Sequence, residues 1–358
     1  MSMDYKDLKI LLVSPLPPPA GGISSWTEQY IDWAKKNNLS VVIVNQAVIG
    51  KRAENITKKT RISDEIKRTK FIIKELRMKI NQFKPQIIHL NTSCGKLGII
   101  RDFLCAQIAK KSDAKLIVHY HCNIKDQVDS SIVSRFFLRQ LANIADLNLV
   151  LNNSSKQYLF QKTNRDSILI PNFIHETFVL DKSRNIRQEI KIVSFVGHVQ
   201  RTKGVLEIID VAKKLPDIIF KIAGPVANEI VQIEKPKNTI FLGPITKQKV
   251  KKLLMESDVF LFPSHTEGFS NALLEAMAMG LPIITTPVGA NVDMIESKGG
   301  VIVNVGDSNS IMEAIDNIKD SMIRAKMSEW NLNKVKNEYT TEKIMNKLIT
   351  LYLYELNK

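Results

Sequence analysis

The sequence predicts an α/β protein of two domains, each a parallel β-sheet covered by helices. Three observations carry this. Short apolar runs recur along the chain with longer helical periodicities between them. The alternation lapses once, in the polar, Pro- and Asn-bearing stretch "IPNFIHETFVLDKSRNIRQEI" at 170–190, and then resumes. Finally, 358 residues at 44% hydrophobic suffice for two separate cores.

The strands of the first domain are expected at "LKILLVS", "SVVIVN", "QIIHLN", "KLIVHYH" and "DLNLVLN". Those of the second are expected at "KIVSFVG", "DIIFKIAG", "NTIFLG", "DVFLFPS", "LPIITTP" and "GGVIVNV". The domains are accordingly placed at 1–172 and 173–339. Helical spacing at Ile344, Leu348, Leu351 and Leu356, with no strand after it, makes 340–358 a terminal helix expected to pack back on the first domain.

Composition narrows the function. No stretch reaches the roughly 18 uninterrupted apolar residues of a membrane span, and the N-terminus has acids and too short an apolar run for a signal peptide. A cytoplasmic protein is expected. Cys94, Cys105 and Cys122 are odd in number and lack C-x-x-C spacing, which suggests neither a disulfide framework nor a zinc site. Residues 1–180 hold 27 Lys+Arg against 15 Asp+Glu, so most of the net charge of +15 lies in the first half. Much of it sits between Lys51 and Lys84. There Ile62, Ile66, Ile73, Leu76, Ile80 and Phe83 form one helical stripe, and Lys67, Lys70, Lys74 and Arg77 a neighbouring one. Such a helix, 61–83, fits either a core-packed element with a solvated basic face or one that lies on an anionic membrane. No nucleic-acid module or aromatic stacking cluster accompanies the charge, so nucleic acid is not expected as a partner.

Open α/β sheets bind ligands beyond the carboxyl ends of their strands. After the first strand, "PLPPPAGGISSW" puts Gly21 and Gly22 at a helix start, either as a tight turn or as a close backbone approach to a ligand. Neither G-x-G-x-x-G at this loop nor G-x-x-x-x-G-K-[ST] anywhere in the chain is present, which weakens a dehydrogenase or P-loop reading. After "KLIVHY", His121 lies at a strand's carboxyl end, on the same face as His119. After "KIVSFV", the loop "GHVQRTKGV" offers Lys203 and Gly204 at a helix start, where an ammonium and backbone N–H groups can converge on a phosphate. Each of these also has an ordinary structural reading.

The stretch "PSHTEGFSNALLEAMAMG" at 263–280 is sharper. Ser270 is a fitting N-cap for a helix from Asn271 to about Met279 that stops at Gly280. A diphosphate could dock on the free N–H groups near Gly268, Phe269, Ser270, Asn271 and Ala272. Glu275, roughly 7 Å along the axis with its side chain tilted back, could accept from both hydroxyls of a ribose. Glu267, before the cap, would meet a hydroxyl-rich group at the other end of the diphosphate. The bland alternative is a buried helix with one satisfied core glutamate, which would be costly without partners.

"EGFSNALLEAMAMGLPIITTPVG" resembles the E-x7-E signature of family 4 of retaining nucleotide-sugar glycosyltransferases, the group 1 glycosyltransferases of the GT-B fold. "GGISS", "IVHYHC", "LIPNFI" and "VGHVQRTKGV" resemble further family segments in the same order, so the likeness spans nearly the whole chain. The resemblance implies two Rossmann-like domains facing each other across a cleft. It also implies sugar transfer from a nucleoside-diphosphate sugar with retention of configuration. Catalytic roles fall on His121, Lys203 and Glu267, and donor binding on Gly21, Gly22, His198, Arg201, Lys203, Glu267, Gly268, Phe269, Ser270, Asn271, Ala272 and Glu275. Two departures stand out. His198 replaces the family's arginine, with Arg201 a candidate for the missing charge, and Cys122 stands where glycine often follows the histidine. With no D-x-D in the chain, no essential metal and no cofactor beyond the donor are expected. The expected acceptor is a lipid-linked saccharide at the inner face of the plasma membrane, in bacterial surface polysaccharide assembly. A nucleotide-sugar epimerase of the same fold and a non-catalytic partner subunit are the alternatives.

Overall fold

The computed structural model describes residues 5–18, 21–47 and 62–358. The chain divides into two compact units, Met1–Asn172 with Thr341–Lys358, and Phe173–Thr340. The part of the basic stretch from Lys51 to Arg61 lies outside the described residues.

The first unit is built on six parallel strands, β1 (Lys9–Ser14), β2 (Ser40–Asn45), β3 (Ile87–Thr92), β4 (Lys115–Tyr120), β5 (Leu147–Val150) and β6 (Ile168–Leu169), in the order β2-β1-β3-β4-β5-β6. The central strands are mostly apolar and buried almost throughout because helices cover both faces. β6 has only two residues, too few for any periodicity, and the sequence pattern showed no strand there. The helices are α1 (Gly22–Lys36), α2 (Ile62–Phe83), α3 (Gly98–Ala109), α4 (Ile124–Val128), α5 (Ile132–Ile144), α6 (Asn153–Thr163) and, from the chain terminus, α14 (Thr341–Leu356). α14 is tied to the unit by polar bonds as well as packing. Tyr352 Oη lies 2.5 Å from His89 Nδ1, and Trp33 Nε1 donates to Glu342 Oε2 at 2.9 Å.

The burial of α2 departs from the expected stripe. Ile72 and Leu76 are buried, but Ile62 and Ile66 are 69% and 51% exposed. The inward face is rotated because a buried ionic cluster occupies the helix's first turns. Arg68 and Arg101 both reach Glu65, and Arg101 also holds Asp102 at 2.8 Å. The opposite face carries Lys67, Lys70, Phe71, Lys74, Arg77 and Met78, all exposed.

The second unit has strands β7 (Ile192–Val196), β8 (Ile219–Ala223), β9 (Thr239–Gly243), β10 (Val259–Phe262), β11 (Ile283–Thr285) and β12 (Gly300–Ile302), again all parallel. Their order is β12-β11-β10-β7-β8-β9. Helices α7 (Val205–Lys214), α8 (Asn228–Val231), α9 (Lys247–Glu256), α10 (Asn271–Ala278), α11 (Asn291–Ile295), α12 (Ser308–Asn317) and α13 (Ser321–Lys334) complete it. The chain runs outward from β7 through β8 and β9, then crosses back to start β10 on β7's other side. That reversal is the doubly wound switch point, where the loops after the two adjoining strands diverge and leave room for a ligand.

Candidate functional site

The loops after β7 and β10, residues 197–204 and 263–270, flank the switch point and are laced together. The His265 N–H donates to the Thr202 carbonyl at 2.9 Å, and His265 Nε2 lies 2.9 Å from Glu207 Oε1 on α7. Gly204 caps α7 with φ of 73°, and a Cβ there would sit 2.1 Å from the Pro263 carbonyl oxygen. Glycine is the residue that allows both the left-handed backbone and the approach. Gly204→Ala is therefore expected to lower unfolding free energy by at least about 3 kcal/mol, read from urea denaturation. An unchanged midpoint would contradict the close packing of the two loops. Gly289, at φ of 57°, supports the second loop from behind in the same way, 2.2 Å from the Glu267 carbonyl oxygen by the same measure.

This packing brings Lys203 and Glu267 together. Lys203 Nζ donates to Glu267 Oε1 at 2.5 Å, and the two side chains are 21% and 11% exposed. The ammonium also lies 6.0 Å from the Phe262 ring centroid. A cation already oriented by its neighbours costs less to bring onto an anion than a free lysine does.

α10 begins four residues beyond Glu267. Ser270 caps it, its Oγ accepting from the Leu273 N–H at 3.2 Å and its carbonyl from the Leu274 N–H at 3.1 Å. Among the described residues the Ala272 N–H finds no protein acceptor. One turn on, the half-buried carboxylate of Glu275 has no hydrogen-bond or ion-pair partner among the described residues. Burial pushes its pKa up to about 7, with Lys247 on α9 pulling weakly the other way. A partly desolvated carboxylate beside helix N–H groups can accept from a vicinal diol while the N–H groups hold an anion.

The remaining residues singled out in the sequence are distributed as follows. Arg201 and His198 are exposed in the β7 loop, and the Arg201 N–H donates to Glu229 Oε1 at 2.9 Å. Phe269 is buried edge-on to Tyr339, so its side chain belongs to the core, leaving only its backbone for ligand contact. The Gly268 carbonyl accepts from the Ala290 N–H at 3.0 Å, and Asn271 opens α10. In the first unit Gly21 is extended, and it and Gly22 are exposed at the start of α1. His121 follows β4, half-buried, its ring centroid 4.0 Å from that of His119. Burial, then the facing His119 and His89, hold its imidazole well below the ordinary pKa, so it is neutral. His119 itself falls to about 3.

Several contributors went unread in the sequence. Gly289 acts on a loop twenty residues earlier. Asn91 meets His121 because β3 and β4 are neighbours, and β1 on the other side of β3 brings Ser14 to Asn91. The alternation in "HLN" carried a faint signal, since it sets His89 and Asn91 on one face.

Two parallel-sheet units, the second with a cation, two carboxylates and a helix N-terminus at its switch point, define a protein of the GT-B class. Residues 177–333 match the family model of glycosyl transferases group 1. The chain is 29% identical over 236 residues to the N-acetyl-alpha-D-glucosaminyl L-malate synthase of Bacillus anthracis, covering 61% of each protein. It is 26% identical over 187 residues to the Escherichia coli UDP-Gal:alpha-D-GlcNAc-diphosphoundecaprenol alpha-1,3-galactosyltransferase, covering 48% of each. The matched stretches thus span less than two thirds of these relatives. Among solved structures, sucrose-phosphate synthase from Thermosynechococcus elongatus superposes with a TM-score of 0.75 at 17% identity, covering 96% of this chain and 98% of that one. Anabaena HepE in complex with UDP-glucose gives 0.70 at 15%, covering 97% and 99%. Among the described residues no group of three or more His, Cys, Asp or Glu is placed to hold a metal ion, and no helix is long and apolar enough to cross a membrane.

Proposed function

We propose that this chain is a retaining glycosyltransferase that moves a sugar from a nucleoside-diphosphate sugar to a lipid-linked saccharide in surface polysaccharide assembly. The single observation that carries the reading is the convergence at one switch point of Lys203, Glu267, the first turn of α10 and the unpartnered Glu275. Glu275 takes the ribose diol, the α10 N–H groups and Lys203 take the diphosphate, and Glu267 takes the sugar. The bond from the anomeric carbon to the diphosphate breaks and its electron pair leaves on the phosphate oxygen. The acceptor hydroxyl oxygen then bonds the same carbon on the same face, with retention, and its proton passes to the departing phosphate oxygen. Charge growing on the leaving group is met by Lys203, by Arg201 and by backbone donors in place of a metal. The UDP-glucose complex of the similar HepE fold and the nucleotide sugar named for the galactosyltransferase relative support a nucleotide-sugar donor. Screening UDP, GDP, ADP and their sugar conjugates by thermal shift tests this, because a ligand that binds only the folded protein raises its melting temperature. One base should stand out; no shift with any of them would defeat the reading.

The acceptor's lipid is supported by the relative that acts on a diphosphoundecaprenol substrate and by the outer face of α2. On it Lys67, Lys70, Lys74 and Arg77 have no carboxylate partner among the described residues, and Phe71 is 63% exposed beside them. Unpaired cations interleaved with apolar side chains suit an anionic bilayer at the cytoplasmic face. Liposome flotation at low salt should show binding to anionic vesicles well above binding to neutral ones. Equal binding to both would remove the membrane from the proposal.

A further inference from the structure

The first turn of α10 belongs to a helix of only eight residues, about 12 Å long. A rod that short moves as a unit, so whatever holds its carbonyl end also sets where its first turn stands. The last carbonyls of a helix have no donor within it and need one from elsewhere. At α10 the donors come from the polar stretch 170–190. The Leu180 N–H donates to the Ala278 carbonyl at 3.0 Å, and Arg184 Nη1 donates to the Met279 carbonyl at 3.2 Å.

The same guanidinium serves a second helix. Nη1 donates to the Leu254 carbonyl at 2.9 Å and Nη2 to the Met255 carbonyl at 2.7 Å, both in the last turn of α9, and Nη2 also reaches the carbonyl of Ser257, just before β10. One planar group with its donors in a fixed fork thus sets the spacing of two helix ends and a strand start. Burial lowers its pKa to about 10, so it is charged at neutral pH and offsets the negative ends of both helices. Each of these elements leads into the site. β10 runs into the loop that carries Glu267, α10 carries Glu275, and Lys247, the cation that acts on Glu275, is the first residue of α9.

We propose that Arg184 is a positioning residue of the donor site, which clamps the carbonyl ends of α9 and α10 to the start of β10 and so holds the first turn of α10 and Glu275 beside the Glu267 loop. The effect on donor binding rests on the nucleotide-sugar reading given above; the effect on α10 does not.

The experiment separates the two. In the full chain, Arg184→Met removes the donors and keeps the apolar stem. The amides of Leu273 and Leu274, which bond Ser270, should then exchange with solvent at least tenfold faster than in the wild-type protein. The same variant should bind the nucleotide that gives the largest thermal shift at least tenfold more weakly, by calorimetry at a temperature where circular dichroism shows it folded. Arg324→Met is the control for lost stability alone. Arg324 is fully buried and likewise bonds three backbone carbonyls, those of Ile318, Lys319 and Gln188, all outside α9 and α10. Its substitution should lower the melting temperature yet leave α10 exchange and nucleotide affinity within twofold of wild type. Arg184→Lys keeps the charge without the fork and should restore only a minor part of the lost affinity; it also replaces Arg184→Met where that variant fails to fold. Unchanged α10 exchange on loss of Arg184, or an equal change in Arg324→Met, overturns the clamp, and full recovery by lysine overturns the role of the fork. Faster exchange with wild-type affinity overturns the link from the clamp to the donor. If the wild-type protein binds none of UDP, GDP, ADP and their sugar conjugates, the donor reading falls, and the exchange rates still decide the clamp.

Discussion

Lys203→Ala is expected to lower kcat/KM for sugar transfer about 100-fold, equivalent to about 3 kcal/mol of lost transition-state stabilisation. The loss should fall mainly on kcat. Before donor binds, the ammonium is neutralised by Glu267 at 2.5 Å, so diphosphate in the ground state competes for a charge already in use. As the leaving group gains charge the balance tips toward phosphate, and the lysine contributes most at the transition state. The same substitution strands the largely buried Glu267 carboxylate and should destabilise the second unit. The two effects separate in a double variant. Adding Glu267→Gln to Lys203→Ala should recover stability without recovering turnover, whereas Lys203→Ala alone within threefold of wild-type turnover would remove Lys203 from the mechanism.

Glu275→Gln is expected to stabilise the free protein and abolish high-affinity donor binding. The carboxyl's pKa in the fold is about 7 against an ordinary 4.5, because burial disfavours the charged form. The penalty is therefore complete above pH 7, declines as pH falls from 7 to 4.5, and is absent below 4.5. Glutamine removes it. The variant's gain should be on the order of 2 kcal/mol at pH 8, about 5 °C in melting temperature, and should vanish at pH 4. Binding has the opposite demand, since a ribose diol donates to the carboxylate. Nucleotide affinity of the wild-type protein should fall as pH drops below 7, with proton release on binding near that pH in calorimetry. Lys247→Met removes the nearby opposing charge and should move this window upward. Wild-type affinity in the Glu275→Gln protein would show that the ribose does not reach this carboxylate.

The strands that carry both units were legible because parallel strands covered on both faces are largely apolar runs, bounded here by glycine, proline and polar residues. The start of α10 was legible for a similar local reason: a capping serine, a helical apolar pattern and a closing glycine all fall within a short stretch of chain. β6 and the rotated face of α2 were not. The first is two residues long, and the second is turned by Arg101 and Asp102 on α3, which periodicity within α2 does not encode.

The sequence by itself determined the alternating α/β architecture, the loops in which the polar residues fall, and the presence of two carboxylates eight positions apart. Each follows from interactions within a few residues of chain. Only the tertiary structure decided that Lys203 meets Glu267, that Gly289 supports the Glu267 loop, and that Asn91 on β3, bonded in turn to Ser14 on β1, meets His121. Those contacts arise from strand order, in which β1 adjoins β3 and β7 adjoins β10 across tens of residues of intervening chain. Sheet order is set by long-range packing of buried faces, and no local spacing records it.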